Sequence, residues 1–172
     1  MARSHLNSLR MCGWSALLAL AASANAQQRQ EAARGSLELA TVVERVVETK
    51  NVDGTTKTEL VPVAVALPGD EVVYTVSFTN VSGQAADHVR ITNPIPAEML
   101  YVADTAVGPG SEVLYSVDGG KSYGTPRELT VAVTDGSRRA ADPADYTHIR
   151  WILQTPLDAG AKGFARFRAV VR

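Results

Sequence analysis

The stretch that decides the fold is LPGDEVVYTVSFTNVSGQAADHVRITNPIPAEMLYV, residues 67–102. Residues 71–79 alternate between two faces, as a half-buried β-strand does. One face carries Val72, Tyr74, Val76 and Phe78, and the other carries Val73, Thr75, Ser77 and Thr79. A polar turn over 80–84 leads into a second strand over 87–92, with Val89 and Ile91 inward. Pro94 and Pro96 then end that strand, because proline cannot donate to a sheet ladder.

The same pattern continues to the end of the chain. Further short strands are predicted over 99–107, 112–117, 128–134, 147–153 and 163–171, with glycine-rich turns between them. In the last strand Ala165, Phe167, Ala169 and Val171 face inward, while Arg166, Arg168 and Arg172 face outward. About eight or nine short strands without a convincing helix predict an all-β fold, an antiparallel β-sandwich.

Residues 37–50 are ambiguous. Their apolar residues fit one helical face, but Leu37, Leu39, Thr41 and Val43 also share one strand face. The β-branched content and the turn at Asn51-Val52-Asp53-Gly54, followed by the alternating residues 56–67, favour a strand.

The first 26 residues have the pattern of a signal peptide. Arg3 and Arg10 form a basic region, an apolar run over 11–22 follows, and Ala24-Asn25-Ala26 supplies a cleavage site. The apolar run is shorter than the roughly 20 residues that span a bilayer. We therefore expect cleavage before Gln27, export to the periplasm or cell surface, and no membrane span in the mature chain. Residues 27–35 are polar and predict a disordered arm, so that 36–172 form a single domain.

Composition excludes several classes of protein. Cys12 is the one cysteine and leaves with the leader, so no disulfide framework is possible in the mature chain. The leader takes two of the 17 basic residues and none of the 18 acidic ones, which leaves the mature chain slightly acidic. Arg138-Arg139 is its only basic doublet, and nucleic acid is not an expected partner.

The blocks that punctuate the strands resemble a known family. They are Pro68-Gly69-Asp70, Tyr74-Thr75-Val76, Asn80, Asn93-Pro94-Ile95-Pro96, residues 115–121 and residues 147–151. The chain resembles the bacterial "domain of unknown function eleven" family, Ig-like conserved repeat domains of exported and cell-surface proteins. Asn93 stands where that family usually has an aspartate, and it keeps a short side chain that bonds to its own turn. The resemblance implies an Ig-like sandwich that acts as a structural or binding module without established catalytic residues.

No group of residues predicts a cofactor, metal or catalytic centre. His88 and His148 are the histidines of the mature chain; neither lies in a ligand-spaced motif, and a blue-copper site would need a cysteine. Asp118-Gly119-Gly120 offers one carboxylate beside Lys121, which suits a hairpin turn better than calcium. No serine lies in a nucleophile elbow, so we expect no enzyme.

The residues that we single out are therefore structural. Trp151 is predicted to fill the core between the sheets. The full set is Pro68, Gly69, Asp70, Tyr74, Asn80, Asn93, Pro96, Asp118, Gly119, Gly120 and Trp151. Residues 142–146 resemble the tyrosine corner of Ig domains, but the strand register argues against one and predicts a turn with Tyr146 exposed. Tyr101, Tyr123, Tyr146 and the outward arginines are candidate partner surfaces.

The predicted function is a non-enzymatic structural or protein-binding module, most simply a monomer, whose partner is an unidentified envelope or surface protein. Two alternatives remain at this stage. One is a periplasmic chaperone that donates a strand to a client, although pilus chaperones use two sandwiches and this chain has the length for one. The other is a sandwich that binds a small ligand or metal. Strand addition at a sheet edge is a further route to a partner.

Overall fold

A computed structural model describes residues 37–63 and 65–172. The predicted leader, residues 1–26, and the predicted arm, residues 27–35, lie outside the described residues. The described chain is all-β. Its ten strands are β1 Leu37–Lys50, β2 Thr56–Pro62, β3 Glu71–Asn80, β4 Arg90–Pro94, β5 Met99–Tyr101, β6 Ser111–Ser116, β7 Thr130–Ala132, β8 Arg138–Ala140, β9 His148–Leu153 and β10 Lys162–Val171. The one helix among these residues is a 3-10 turn over Pro143–Asp145.

The strands form open antiparallel sheets in a sandwich-like arrangement. The larger sheet has the order β2-β1-β3-β10-β5, and the smaller has the order β4-β9-β6. Strands β7 and β8 form a separate hairpin. Every named strand pair is antiparallel, which fits a chain whose turns are too short for parallel crossovers.

The ambiguous residues 37–50 form the 14-residue strand β1. Its first part pairs with β3, from Leu37 opposite Asn80 to Arg45 opposite Val72. Its second part pairs with β2, from Glu44 opposite Pro62 to Lys50 opposite Thr56. The hairpin turn between β1 and β2 contains Gly54, whose φ of 85° is a left-handed conformation that glycine adopts without strain.

The core lies between the two sheets and is centred on aromatic side chains. Trp151 of β9 and Phe167 of β10 come from opposite sheets, and their ring centroids are 6.3 Å apart. Val72, Ile149 and Ala169 are fully buried around them. The predicted inward alternation of β10 is confirmed for Ala165, Phe167 and Ala169, which are at most 1% exposed, whereas Val171 is half-buried.

Four predicted strands have different limits. Strand β4 begins at Arg90 and runs through Pro94. The proline fits in the strand because β4 is an edge strand and the proline nitrogen faces away from β9. Strand β5 ends at Tyr101, and the rest of its predicted length makes one bridge, Val107 to Arg166. Residues 128–134 contribute the three residues of β7, and the strand predicted from residue 56 ends at Pro62. No sequence pattern predicted β8, the strand that contains the Arg138-Arg139 doublet and pairs with β7.

Two predicted surface tyrosines are buried. Tyr101 is 6% exposed and Tyr146 is 7% exposed, so neither forms a partner surface. The prediction of an exposed Tyr146 was wrong because it extended the alternation of β9 backwards. Strand β9 begins at His148, and Tyr146 follows the 3-10 turn, where strand alternation does not apply.

Candidate functional site

Pro68, Gly69 and Asp70 form the turn that feeds β3. The Asp70 amide donates to the Leu67 carbonyl at 2.9 Å, and Gly69 has a φ of 91°. The Asp70 carboxylate accepts a hydrogen bond from the Leu67 amide at 2.8 Å and lies 3.5 Å from the Arg45 guanidinium. This arrangement closes the turn and ties it to β1.

Asn80 is completely buried, and both ends of its amide are used. Its Nδ2 donates to the Gln84 and Leu157 carbonyls, each at 2.8 Å. Its Oδ1 accepts from the Ser82 amide at 3.0 Å and from the Ser82 hydroxyl at 2.7 Å. One side chain therefore joins the loop after β3 to the loop before β10.

Asn93 and Pro96 lie at the end of β4. Asn93 was predicted to bond within a turn, but it lies inside β4 opposite Ile149. Pro96 does form a turn, because its carbonyl accepts from the Met99 amide at 2.9 Å. The turn predicted at Asn93 therefore starts later, and β4 ends at Pro94 instead of residue 92.

Asp118, Gly119 and Gly120 form a turn that saturates a carboxylate. Asp118 accepts from the Ser116 hydroxyl at 2.8 Å, from the Lys121 amide at 3.0 Å and from the Ser122 hydroxyl at 2.6 Å. The hydrogen bond from the Ser122 side chain is the main reason why the pKa of Asp118 lies well below its usual range. Gly119 and Gly120 have φ values of 75° and 84°, which explains both glycines. The carboxylate therefore stabilises the turn.

Tyr74 and Trp151 both pack on Phe167. The ring of Tyr74 stacks on Phe167 with centroids 4.9 Å apart and planes 5° apart. Trp151 is fully buried, and its Nε1 has no hydrogen-bond partner among the described residues. Its indole lies against Gly108, where a Cβ would come within 2.7 Å of Cδ1. Both residues belong to the core.

Residue patterns did not reveal a buried tyrosine cluster. The hydroxyls of Tyr101 and Tyr115 are 3.0 Å apart, and the Tyr101 hydroxyl accepts from the Ala106 amide at 3.1 Å. The ring of Tyr115 stacks on Tyr146 at 4.5 Å. Burial raises the pKa of Tyr115 far above its usual value. The sequence feature that pointed to this cluster was the position of Tyr101 and Tyr115 on predicted strands. Their polar hydroxyls left a surface position equally possible.

The remaining surface candidates are Tyr123 and the outward arginines. The guanidinium of Arg150 lies 3.5 Å from the centroid of the Tyr123 ring, so one face of this tyrosine is covered. Arg166 donates to the Thr75 hydroxyl at 2.9 Å. Arg168 pairs with Glu71 at 3.0 Å. The contacts of Arg166 and Arg168 hold β10 to β3.

A small open pocket lies at one end of the sandwich. Its volume is about 230 Å³, below the roughly 300–1,000 Å³ of typical ligand sites. Phe78, Leu153 and Phe164 contribute apolar walls, and Lys162 contributes a cation. Within residues 37–63 and 65–172, no group of three or more His, Cys, Asp or Glu side chains is placed to hold a metal ion.

The most distinctive exposed surface follows β1, β2 and the segment after β2. We call it the β1–β2 margin. It is defined by five large apolar side chains that are between 40% and 70% exposed: Leu39, Val42, Leu60, Val65 and Leu67. Six of the ten large apolar side chains that are exposed in the described part of the chain lie within residues 37–67.

Comparison of the chain with protein-family models, with curated proteins and with solved structures gives no match. The structure defines the chain as an all-β protein of open antiparallel sheets in a sandwich-like arrangement. None of its described segments forms a helix with the length and apolar character needed to cross a membrane.

Proposed function

We propose that the protein is an exported Ig-like sandwich, monomeric or weakly associating, that acts as a structural or protein-binding module of the bacterial periplasm or cell surface. Export is supported by the basic region, apolar run and Ala24-Asn25-Ala26 site of the leader. The Ig-like assignment is supported by the resemblance of the turn blocks to the "domain of unknown function eleven" family and by two antiparallel sheets packed over an aromatic core.

The observation that carries the binding role is the β1–β2 margin. Leu39 and Val42 lie on opposite faces of the same strand and are 55% and 50% exposed. Leaving about half of each side chain in water forgoes roughly half of the about 1.5–3 kcal/mol that full burial contributes. A partner that covers the margin would recover part of it.

The polar side chains identified above support the same role. Asp118 and Asn80 direct their hydrogen bonds into their own loops. Arg139 and Asp145 form a two-point ion pair, at 2.6 and 2.8 Å, that joins β8 to the 3-10 turn. Their chemistry stabilises a scaffold, which leaves the margin as the surface available for recognition.

Affinity capture tests the proposal. The purified protein, immobilised, should retain an envelope protein from periplasmic and envelope extracts. The double variant Leu39→Lys/Leu60→Lys should lose that protein, because it charges the margin at two exposed positions. Val107→Lys is the matched control, since Val107 is 48% exposed and lies near β10. Capture that is equal for all three proteins, or turnover of a substrate without capture, contradicts the proposal.

Export has its own test. The protein recovered from the periplasm or medium of a bacterial host should begin at Gln27 when its N-terminus is sequenced. Replacing Ala24 and Ala26 with arginine should leave the precursor unprocessed, because signal peptidase requires small residues there. Secretion of a chain that still begins at Met1 would overturn the leader assignment.

A further inference from the structure

Strand β1 has an open edge at its beginning. Residues 37–45 pair with β3 on one side, whereas β2 covers the other side only from Glu44 onwards. The Val63 amide extends this cover by one hydrogen bond, to the Val43 carbonyl at 3.3 Å. Within the part of the chain that the structure describes, no strand lies beside residues 37–42 on that side.

The direction of the backbone groups follows from the same contacts. The amide and carbonyl of one strand residue point to the same side, and the sides alternate along the strand. Since the Val43 carbonyl faces β2, the free amides and carbonyls are those of Leu37, Leu39 and Thr41. Pro62 fits this alternation. It lies opposite Glu44, whose backbone groups point towards β3, so no amide is needed at Pro62.

This edge lacks the features that block three of the other sheet edges. Strand β4 ends in proline and begins with arginine, β2 carries the Lys57–Glu59 ion pair, and β5 has three residues. Residues 37–42 contain no proline or lysine, and their only charge is Glu38. Natural proteins use such residues to prevent edge pairing, so a bare edge is a docking surface.

We propose that this edge binds the same edge of a second copy, so that the two larger sheets join through antiparallel β1 strands around a two-fold axis at Leu39. In this register Leu37 lies opposite Thr41, and Leu39 lies opposite its own copy. All three residues with free backbone groups then form hydrogen bonds. Glu38 lies opposite Ala40, so no like charges meet.

The neighbouring registers are worse. A shift by one residue opposes free backbone groups with groups already bonded to β3. An axis at Glu38 places two carboxylates directly opposite each other, which is destabilising. An axis at Ala40 brings the partner's Leu37 against Val43, whose carbonyl already accepts from Val63.

The residue composition also favours a second copy over the chain's own arm. Residues 27–35 have the sequence QQRQEAARG, with no β-branched or aromatic residue. Such a segment is a poor edge strand. The β1 sequence LELATV has leucine at 37 and 39 and the β-branched Thr41 and Val42, so a second copy supplies the better strand.

The inference rests on the proposed binding role of the β1–β2 margin. Its test uses the purified protein alone, so failure to self-associate is distinguishable from failure to capture an envelope protein. Sedimentation velocity should show an average mass that rises with concentration towards twice the monomer mass. Leu39→Lys should stay monomeric, because it opposes two ammonium groups at the axis, and Val107→Lys should behave as wild type. A wild-type protein that remains monomeric up to about 1 mM overturns the proposal.

Cysteine cross-linking tests the register and separates the possible occupants. Hydrogen-bonded antiparallel partners have Cα atoms about 5.5 Å apart, within disulfide range. Leu39→Cys should therefore form a covalent dimer under mild oxidation. Ala40→Cys should not, because its copy lies about 8 Å away along and across the strands. The wild-type protein is the control for cross-linking through Cys12. Cross-linking of Ala40→Cys but not Leu39→Cys contradicts the axis at Leu39. A monomer that gains mass only with a foreign strand peptide assigns the edge to another protein and overturns self-pairing.

Discussion

At the scale of single residues, Asn80 joins two loops from inside the core. Replacing it with alanine removes all four of its hydrogen bonds, so that the Leu157 and Gln84 carbonyls each lose one of two donors and the Ser82 amide loses its acceptor. An unsatisfied buried polar group costs about 1–3 kcal/mol. We expect Asn80→Ala to lower the free energy of unfolding by about 3 kcal/mol, measured by urea denaturation.

Asn93→Ala is the control for that measurement. Asn93 is half-buried on an edge strand, and we expect a change within about 0.5 kcal/mol. If both variants lose the same free energy of unfolding, the four hydrogen bonds of Asn80 are not the source of its stabilising effect.

Gly108 is the second residue with a sharp expectation. A Cβ at this position would lie 2.7 Å from Trp151 Cδ1, and the fully buried indole has little room to move. Gly108→Ala should lower the free energy of unfolding by about 1–3 kcal/mol through overpacking. Gly83→Ala is the matched control, since nothing lies within 4 Å of its added Cβ. Calorimetric midpoints that fall equally in both variants would contradict this prediction.

Tyrosine shows why single residues were the hardest to predict. Tyr101 and Tyr146 have a polar hydroxyl and an apolar ring, so the sequence permitted either a surface or a core position. The structure buries both: the Tyr101 hydroxyl contacts the Ala106 amide and the Tyr115 hydroxyl inside the core, and the Tyr146 ring stacks on Tyr115. Tyr115 lies 14 residues from Tyr101, and Ala106 lies outside the strands. No local sequence pattern reveals such partners.

At the scale of elements, the Asp118 turn predicts an acid-sensitive contribution to stability. Hydrogen bonds to its charged form lower the pKa of Asp118 in the folded chain. The unfolded chain therefore binds the proton at higher pH, near 3.8. The stabilisation is present above that pH and is lost as the pH falls through the folded pKa.

The measurement compares wild type with Asp118→Asn. The difference between their free energies of unfolding should be constant from pH 5 to 7 and should shrink as the pH falls below about 4. Ser122→Ala removes the largest cause of the shift and should reduce this pH dependence. If the difference stays the same down to pH 2, Asp118 makes no acid-sensitive contribution to stability.

Strands with strict alternation were predictable, and elements fixed by distant partners were not. Strand β10 alternates as expected because both of its neighbours are strands and one of its faces meets the core. Strand β8 has no apolar alternation. It forms because its partner β7 lies beside it, and Arg138 reaches across to the Thr130 hydroxyl and carbonyl.

Strand β3 shows the limit of the two-face pattern. Val73 was assigned to the outer face, and it is not part of the core cluster, yet it is 2% exposed. Glu44 and Arg168 lie opposite it on the two flanking strands, and the aliphatic stems of long charged side chains can cover an apolar neighbour. Long charged side chains therefore bury apolar groups that alternation alone would place in water.

At the scale of the whole molecule, the all-β class followed from the sequence because period-two alternation recurs between turn residues. The docking edge did not follow from it. An edge is defined by the absence of a neighbour, and strand order depends on long-range pairing. That β2 covers only half of β1 could be read only from the register.

The buried tyrosines give the molecule a second pH limit, at the alkaline end. Burial raises the pKa values of Tyr74, Tyr115 and Tyr146 in the folded chain above the unfolded value of 10. The stabilisation from their neutral forms is complete below about pH 10 and declines above it. Beyond that pH the unfolded chain releases protons that the folded chain keeps. The thermal midpoint should therefore fall steeply above pH 10.

Tyr115→Phe removes one of these groups and should make the alkaline decline shallower, although the variant is less stable at neutral pH because it loses the Tyr101 contact. Ile91→Val is the control, since it lowers stability by about 1 kcal/mol without a titrating group. Its decline should parallel that of wild type. If Tyr115→Phe also declines in parallel, the alkaline limit arises elsewhere in the chain, and the buried cluster does not set it.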